Sequence, residues 1–385
     1  MIAKSFQIKI PSHKIVLNTI RCHKEISGAE LSRITKYQPS TLVYILRSLQ
    51  KAGFIKVSRV GSLPGSAGKP PTLWSLEPDR GFIVGVELIP YEFRITVINF
   101  ACQVIHQQHI VDFVDLYGDK TAATAAILIK ETIEKLNIPK EKLIGVGVAL
   151  PGLVDRTHGL VHYSRRLNLH NIALQKQLAD SLALPVEIVN DANAGALGVW
   201  WHLDSPEPLP PNVVFLTLNE KIREMGAGML LNGTLYEGAQ GTAGEIFVKL
   251  PALRKLIEKG IKKYGDDQPL AACLHKTGNV SLSEVILYGK QNCHISNYVL
   301  KCFSKFIVAE IIRIVEFLNP DLIVIGGDIT EARELIYDYI TKNVKNSLKS
   351  IFPIGIIMPD IRFSDIGIYS VSLGASSLFL RKLFI

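Results

Sequence analysis

"PSTLVYILRSLQKAGFI" (Pro39–Ile55) reads as one short helix followed by the start of a strand. Gln38 stands at the cap position. Pro39 stands at the first helical position, where its missing N–H costs nothing. Leu42, Ile45, Leu46 and Leu49 recur at helical spacing and make one apolar face. Ser40, Thr41, Tyr44, Arg47 and Lys51 fall largely on the other face, and Gly53 closes the segment.

Upstream, "SGAELSRI" has Ser27 followed three residues later by Glu30, the signature of a capping box. Before that, "KIVLNTIRCH" carries Ile15 and Ile20 at helical spacing. Three helices with a tight turn before the last describe a helix-turn-helix, whose final helix enters the major groove of DNA. Downstream, the runs Phe54–Val60 and Thr72–Leu76 read as strands around a Gly/Pro-rich loop, a wing. Within that loop "GKPP" puts Lys69 on an extended backbone able to reach a minor groove. The plainer alternative is a solvated basic hairpin on a small helical domain.

Charge favours DNA. Residues 1–80 hold 13 Lys or Arg against four acidic groups, a balance of +9; the remaining 305 residues sum to −1. All the excess positive charge of a +8 chain therefore sits in its first fifth, as expected when that part alone meets nucleic acid. No apolar run reaches the eighteen or so residues of a membrane span. The five cysteines are scattered, without the paired spacing of zinc sites or disulfides. A cytoplasmic protein that makes no membrane contact is expected.

Beyond "EPDRG" (Glu77–Gly81), apolar strand-like runs alternate with helical ones. "FIVGVEL", "FRITVINF", "LIGVGVALPG", "VEIVND", "VVFLTL" and "LIVIGGD" read as strands. "TAATAAILIKETIEKL", "IALQKQLADSL" and "NYVLKCFSKFIVAEIIRIVEFL" read as helices. An α/β body follows.

The order of motifs (capping box, "PSTLVYILRSLQKAGFI", a wing ending "GKPPTLWSLEP", then "GFIVGVEL") resembles transcriptional regulators of the ROK family. That family includes xylose and N-acetylglucosamine repressors as well as kinases. The resemblance implies a winged helix-turn-helix domain over 1–80 and a two-lobed body like those of sugar kinases and actin. The first lobe would span 81–200 together with 365–385, and the second 201–364.

Where family kinases have a turn like D-x-G-G-T-K, this chain has "ELIPYE": Glu87 for Asp, Ile89 and Pro90 for both glycines, Glu92 for Lys. A β-branched side chain hinders close approach of a phosphate, proline offers no N–H, and Glu92 repels the anion. A second phosphate turn resembles L-G-T-G-x-G-A-G; here "LNEKIREMGAG" lacks the first glycines. Losing one donor to developing charge typically costs ~10²–10³ in rate, so loss of both turns implies a body that is not an enzyme and uses no cofactor.

The sugar side is retained. "NDANAGA" supplies Asn190 and Asp191, "GTAGEI" supplies Glu245, and "RRLNLHN" places Asn168 at a matching sugar-contact position, with Leu169 where an aromatic is common. The family's zinc pattern is missing: Phe247 and Val248 stand where Gly and His belong. "NPDLIVIGGDI" keeps the adenosine-side glycines, Gly326 and Gly327, as a relic of the fold. The resulting expectation is a repressor, homodimeric or homotetrameric, that binds a pseudo-palindromic operator and senses a sugar or sugar-derived effector. An active sugar kinase with an added DNA-binding domain and a ligand-independent dimeric DNA-binding protein are the alternatives.

Overall fold

The computed structural model describes residues 4–60, 71–111, 115–202, 210–219, 224–353 and 358–385, with only the backbone described at 4, 60, 219, 224 and 247–249. Lys69 and the turn residues 220–223 therefore lie outside the described residues.

Three helices open the fold: Pro11–His23, Gly28–Thr35 and Pro39–Lys51. The expected capping box is formed, with Ser27 Oγ accepting from Glu30 N at 3.2 Å and Glu30 Oε2 accepting from Ser27 N at 3.0 Å. Gln38 and Pro39 occupy the cap and first helical positions of the third helix. That helix buries Leu42, Ile45, Leu46 and Leu49. Strands Ile55–Val60 and Thr72–Leu76 pair antiparallel. A two-residue strand, Ile26–Ser27, adds to Thr72–Leu76 opposite Trp74 and Leu73; two residues are too few for any alternation to show in sequence.

The body carries two large sheets and, among the described residues, a small antiparallel one of three short strands, Leu153–Asp155, Leu160–Ser164 and Leu169–Ile172. In the first, Val186–Asn190, Leu143–Leu150 and Phe82–Ile89 run parallel, and Glu92–Asn99 and Val104–Val111 continue antiparallel. In the second, Val213–Asn219, Leu322–Gly327 and Asp360–Phe363 are parallel, with Glu224–Leu231 antiparallel beside them. All six expected strands are present, as are the helices Thr121–Lys135, Leu174–Leu182 and His294–Leu318. Helices Thr121–Lys135 and Leu174–Leu182 cover one face of the first sheet. His294–Leu318 and its neighbours cover the outer face of the second. No helix among the described residues is long and apolar enough to cross a membrane.

Between the sheets lie two crossed helices, Asp191–His202 and Ser370–Phe384. Glycine lets them touch at backbone distance. A Cβ on Gly198 would fall 2.8 Å from the Gly374 backbone, and one on Gly374 would collide with the Ala194 carbonyl. The Ser370–Phe384 helix also lies on the first sheet, where a Cβ on Gly147 would strike the Ala375 carbonyl.

The N-terminal helices share this central core. Phe6, Leu17, Leu46 and Phe54 belong to one buried cluster with Phe100, Trp201 and Phe384. The rings of Phe54 and Phe100 lie 5.5 Å apart, and those of Phe100 and Phe384 5.6 Å. Arg21, on the first helix, stands 4.6 Å over Trp201 and 5.7 Å over Phe384. Burial, with Arg21 adding to it, drives His202 down to about 4, so the ring at that junction is neutral.

The helix crossing makes a direct prediction. Gly374→Ala should lower the free energy of unfolding by about 1–3 kcal/mol or more, because backbone rather than a flexible side chain blocks the added methyl. A urea-unfolding midpoint equal to that of the wild type would refute the tight crossing.

Candidate functional site

A cavity of about 280 Å³ opens where the two sheets face each other. The strand Val186–Asn190 ends at Asn190, and Asp191 begins the crossed helix. Asn190 Oδ1 accepts from the N–H groups of Ala192 (2.9 Å) and Asn193 (3.2 Å), and Asp191 Oδ1 accepts from Ala192 N at 2.8 Å. These bonds satisfy donors that a helix start leaves open. They also fix the two side chains at the cavity wall. Asn190 Nδ2 donates to the Gly152 carbonyl at 3.1 Å and to Glu245 Oε1 at 3.4 Å, joining three segments distant in sequence.

Glu245 comes from the second sheet's flank, with Thr217, Met225 and Gly226 beside it on the wall. Tyr163, Arg165 and Arg166 close the other side from the small antiparallel sheet containing Leu160–Ser164. A space of this size admits a small polar molecule such as a monosaccharide. Carboxylates, an amide and guanidinium groups around one such volume can hold several hydroxyls in fixed orientation.

Of the four expected ligand residues, Asn190, Asp191 and Glu245 line this cavity and Asn168 does not. Asn168 is exposed and has a left-handed backbone (φ 53°). Its amide lies beside Gly118, 3.8 Å from where a Cβ there would sit. The physical reason is the turn 165–168: Asn168 ends it in a left-handed conformation between buried Leu167 and Leu169, which leaves its side chain outside. Tyr163, Arg165 and Arg166 were not anticipated as lining residues. The paired arginines of "RRLNLHN" were visible, but only the small sheet's fold shows which way they face.

The segment "ELIPYE" forms a tight hairpin. Ile89 pairs with Glu92 across Pro90 and Tyr91, with Tyr91 left-handed at φ 65°. Glu87, Arg94 and His109 sit side by side on three neighbouring strands. Arg94, 2% exposed, donates from Nη2 to Glu92 Oε2 (3.0 Å) and Asp328 Oδ1 (2.8 Å), and from Nη1 towards Glu87 Oε2 and the Ile368 carbonyl, both 3.4 Å. His109 Nε2 lies 3.0 Å from Glu92 Oε2. Glu92, expected to repel a phosphate, is thus bonded inside the protein.

Burial lifts the Glu87 carboxyl to about 8, Arg94 opposing and Asp191, Asp328 and Glu92 reinforcing the rise. Burial works against the Arg94 cation too, but Glu87, Asp328 and Glu92 outweigh it and hold the guanidinium charged. The clue in sequence was Arg94 itself, a lone charge inside the apolar run "FRITVINF".

Among the described residues no group of three or more His, Cys, Asp or Glu could hold a metal ion. His275 pairs with Asp266 at 2.7 Å and Cys273 donates to Glu284 at 3.3 Å, so the two do not share a site. The side chains of Phe247 and Val248 lie outside the described residues. On the third helix, Gln38, Ser40, Thr41, Tyr44, Arg47 and Lys51 are all exposed, Tyr44 at 69%.

Comparison with known proteins gives a consistent answer. The model of the ROK family matches residues 83–247 and 251–382. A xylose repressor of Caldicellulosiruptor bescii is 23% identical over 346 residues, covering 84% of each chain. The E. coli DNA-binding transcriptional dual regulator NagC is 25% identical over 345 residues, covering 81% of this chain and 79% of its own. A solved ROK family transcriptional regulator, a homolog of the E. coli MLC protein, superposes with a TM-score of 0.73 at 20% identity, covering 97% of this chain and 98% of its own, a likeness of fold.

The buried carboxyl predicts a pH effect. A group that favours its protonated form in the fold loses stabilisation as pH rises from its unfolded value towards its folded one. Glu87→Gln should therefore gain on the wild type between about pH 4.5 and about pH 8, with the gap constant above that. Thermal unfolding across that range checks it; a gap independent of pH contradicts the assignment.

Proposed function

Because the chain belongs to the ROK family, we propose that it is a DNA-binding transcriptional repressor whose body senses a sugar or sugar-derived effector and phosphorylates nothing. The observation that carries this reading is the third helix, with its apolar face buried and Ser40, Thr41, Tyr44, Arg47 and Lys51 uncovered, joined through a common core to a body with a polar cavity that admits a monosaccharide. The names of the relatives support it: a xylose repressor and a DNA-binding regulator.

In this reading residues 1–80 form a winged helix-turn-helix domain. Ser40, Thr41, Tyr44 and Arg47 meet base edges or adjacent backbone in the major groove, with Gln38 at the helix start. Lys51 and Lys69 neutralise phosphates. Two copies in a symmetric homodimer, or a homotetramer built from it, fit a pseudo-palindromic operator. A DNA partner of this kind puts the protein in the cytoplasm.

Asn190, Asp191 and Glu245 hold the effector. Asp191 accepts from a sugar hydroxyl as an ordinary carboxylate, without proton abstraction. Chemistry would need phosphate donors that "ELIPYE" does not offer: Pro90 has no N–H, and Glu87 and Glu92 converge on Arg94. A ligand drawing the two sheets together changes the separation of paired wings, and so the affinity for DNA.

Two measurements test this. After an operator is selected from random duplexes, Arg47→Ala should weaken its binding by about 1–3 kcal/mol at fixed salt; undiminished affinity removes Arg47 from the interface. In a thermal-shift panel of sugars and sugar phosphates, at least one ligand should stabilise the wild type and lose that effect with Asp191→Asn. The same panel run as an ATP-consumption assay should show no turnover, and turnover sensitive to Asp191→Asn would make the protein a kinase.

A further inference from the structure

Arg94 touches both halves of the body, and its acceptors are not equivalent. Glu87 and Glu92 belong to the same hairpin of the first sheet as Arg94. Asp328 follows the strand Leu322–Gly327 at the heart of the second sheet. Gly327 takes φ 82°, a left-handed bend that a side chain there could not share with the Leu218 carbonyl. That bend carries Asp328 off the strand axis and over to the guanidinium, 2.8 Å away.

Exposure separates the acceptors further. The side chains of Arg94, Glu87 and Glu92 are 2%, 4% and 9% exposed, whereas Asp328 is 20% exposed. A buried guanidinium stripped of all its carboxylates would be very costly. Separating Arg94 from Asp328 does not do that: Glu92 and the carboxyl of Glu87 stay bonded to the arginine, and Asp328 is the carboxyl partner nearest solvent. Of Arg94's own carboxyl partners, the contact between the sheets is thus the one that breaks at least cost. Asp191, on the wall of the ligand cavity, is close enough to Glu87 to act on its charge.

We propose that the Arg94–Asp328 pair is a reversible ionic latch that holds the two sheets of the body together across the cleft, so that closure is set by the protein's own charges and the cavity's ligand. The latch rests on the reading of the body as a nucleotide-free sensor, since it stands at the hairpin that replaces a phosphate turn.

The test is amide hydrogen exchange on the full-length protein. Asp328→Ala should speed exchange on the order of tenfold in Phe82–Asn99, in Gly327–Ala332 and at Asn190–Asn193. Exchange in the interiors of Leu143–Leu150 and His294–Leu318 should stay at wild-type rates, and Asp328→Glu should restore protection. Unchanged rates in the first three segments, or a uniform rise along the chain, would overturn the latch; the uniform rise would mark the pair as ordinary global stabilisation. Arg94→Met is the poorer variant, because it leaves buried carboxylates uncompensated and threatens folding itself. Exchange of the wild type with MgATP tests the underlying reading separately. Protection of Gly327–Ala332 by MgATP would sink the nucleotide-free sensor, whereas the Asp328 series, run without nucleotide, judges the latch.

Discussion

The backbone contact between the helices Asp191–His202 and Ser370–Phe384 is the constraint on which the rest of the molecule depends. Gly198 and Gly374 bring the two axes closer than any side chain would permit, and Gly147 lets the second helix lie directly on the first sheet. One sheet sits on each side of this crossed pair. Widening the crossing by the depth of a methyl would push the sheets apart and change the cavity between them. Close packing transmits such shifts instead of absorbing them.

The crossed pair also joins the two ends of the functional reading. Asp191 lies at the cavity, and eleven residues later His202 lies against Arg21 of the first N-terminal helix. At 1.5 Å per residue that helix spans about 18 Å. Phe384, at the end of the other helix, reaches the same junction through Trp201, Phe100 and Phe54. The N-terminal unit is therefore not a bead on a linker. Its orientation is set by the same buried cluster that packs the body's central helices.

Charge is distributed with a similar economy. The excess positive charge is confined to the N-terminal fifth, and the body is nearly neutral overall. Where the two large sheets meet, ionisable groups stand in two adjoining places, the cavity with Asp191, Glu245, Arg165 and Arg166, and the Arg94 network beside it. There the carboxyl groups of the Phe82–Asn99 hairpin fold inward onto an arginine.

The sequence by itself determined the local structure: the three N-terminal helices with their capping box and the six apolar strands. These are short-range properties, fixed by periodicity, capping and backbone freedom within a few residues. It also brought Asn190, Asp191 and Glu245 together, by matching a set of motifs in order. Only the tertiary structure decided that Asn168 faces away, that Arg165 and Arg166 line the cavity, and that Arg94 reaches Asp328 more than two hundred residues later. Whether a side chain points into a cleft depends on how separate sheets meet. The crossed helices set that meeting, through contacts no window of neighbouring residues contains.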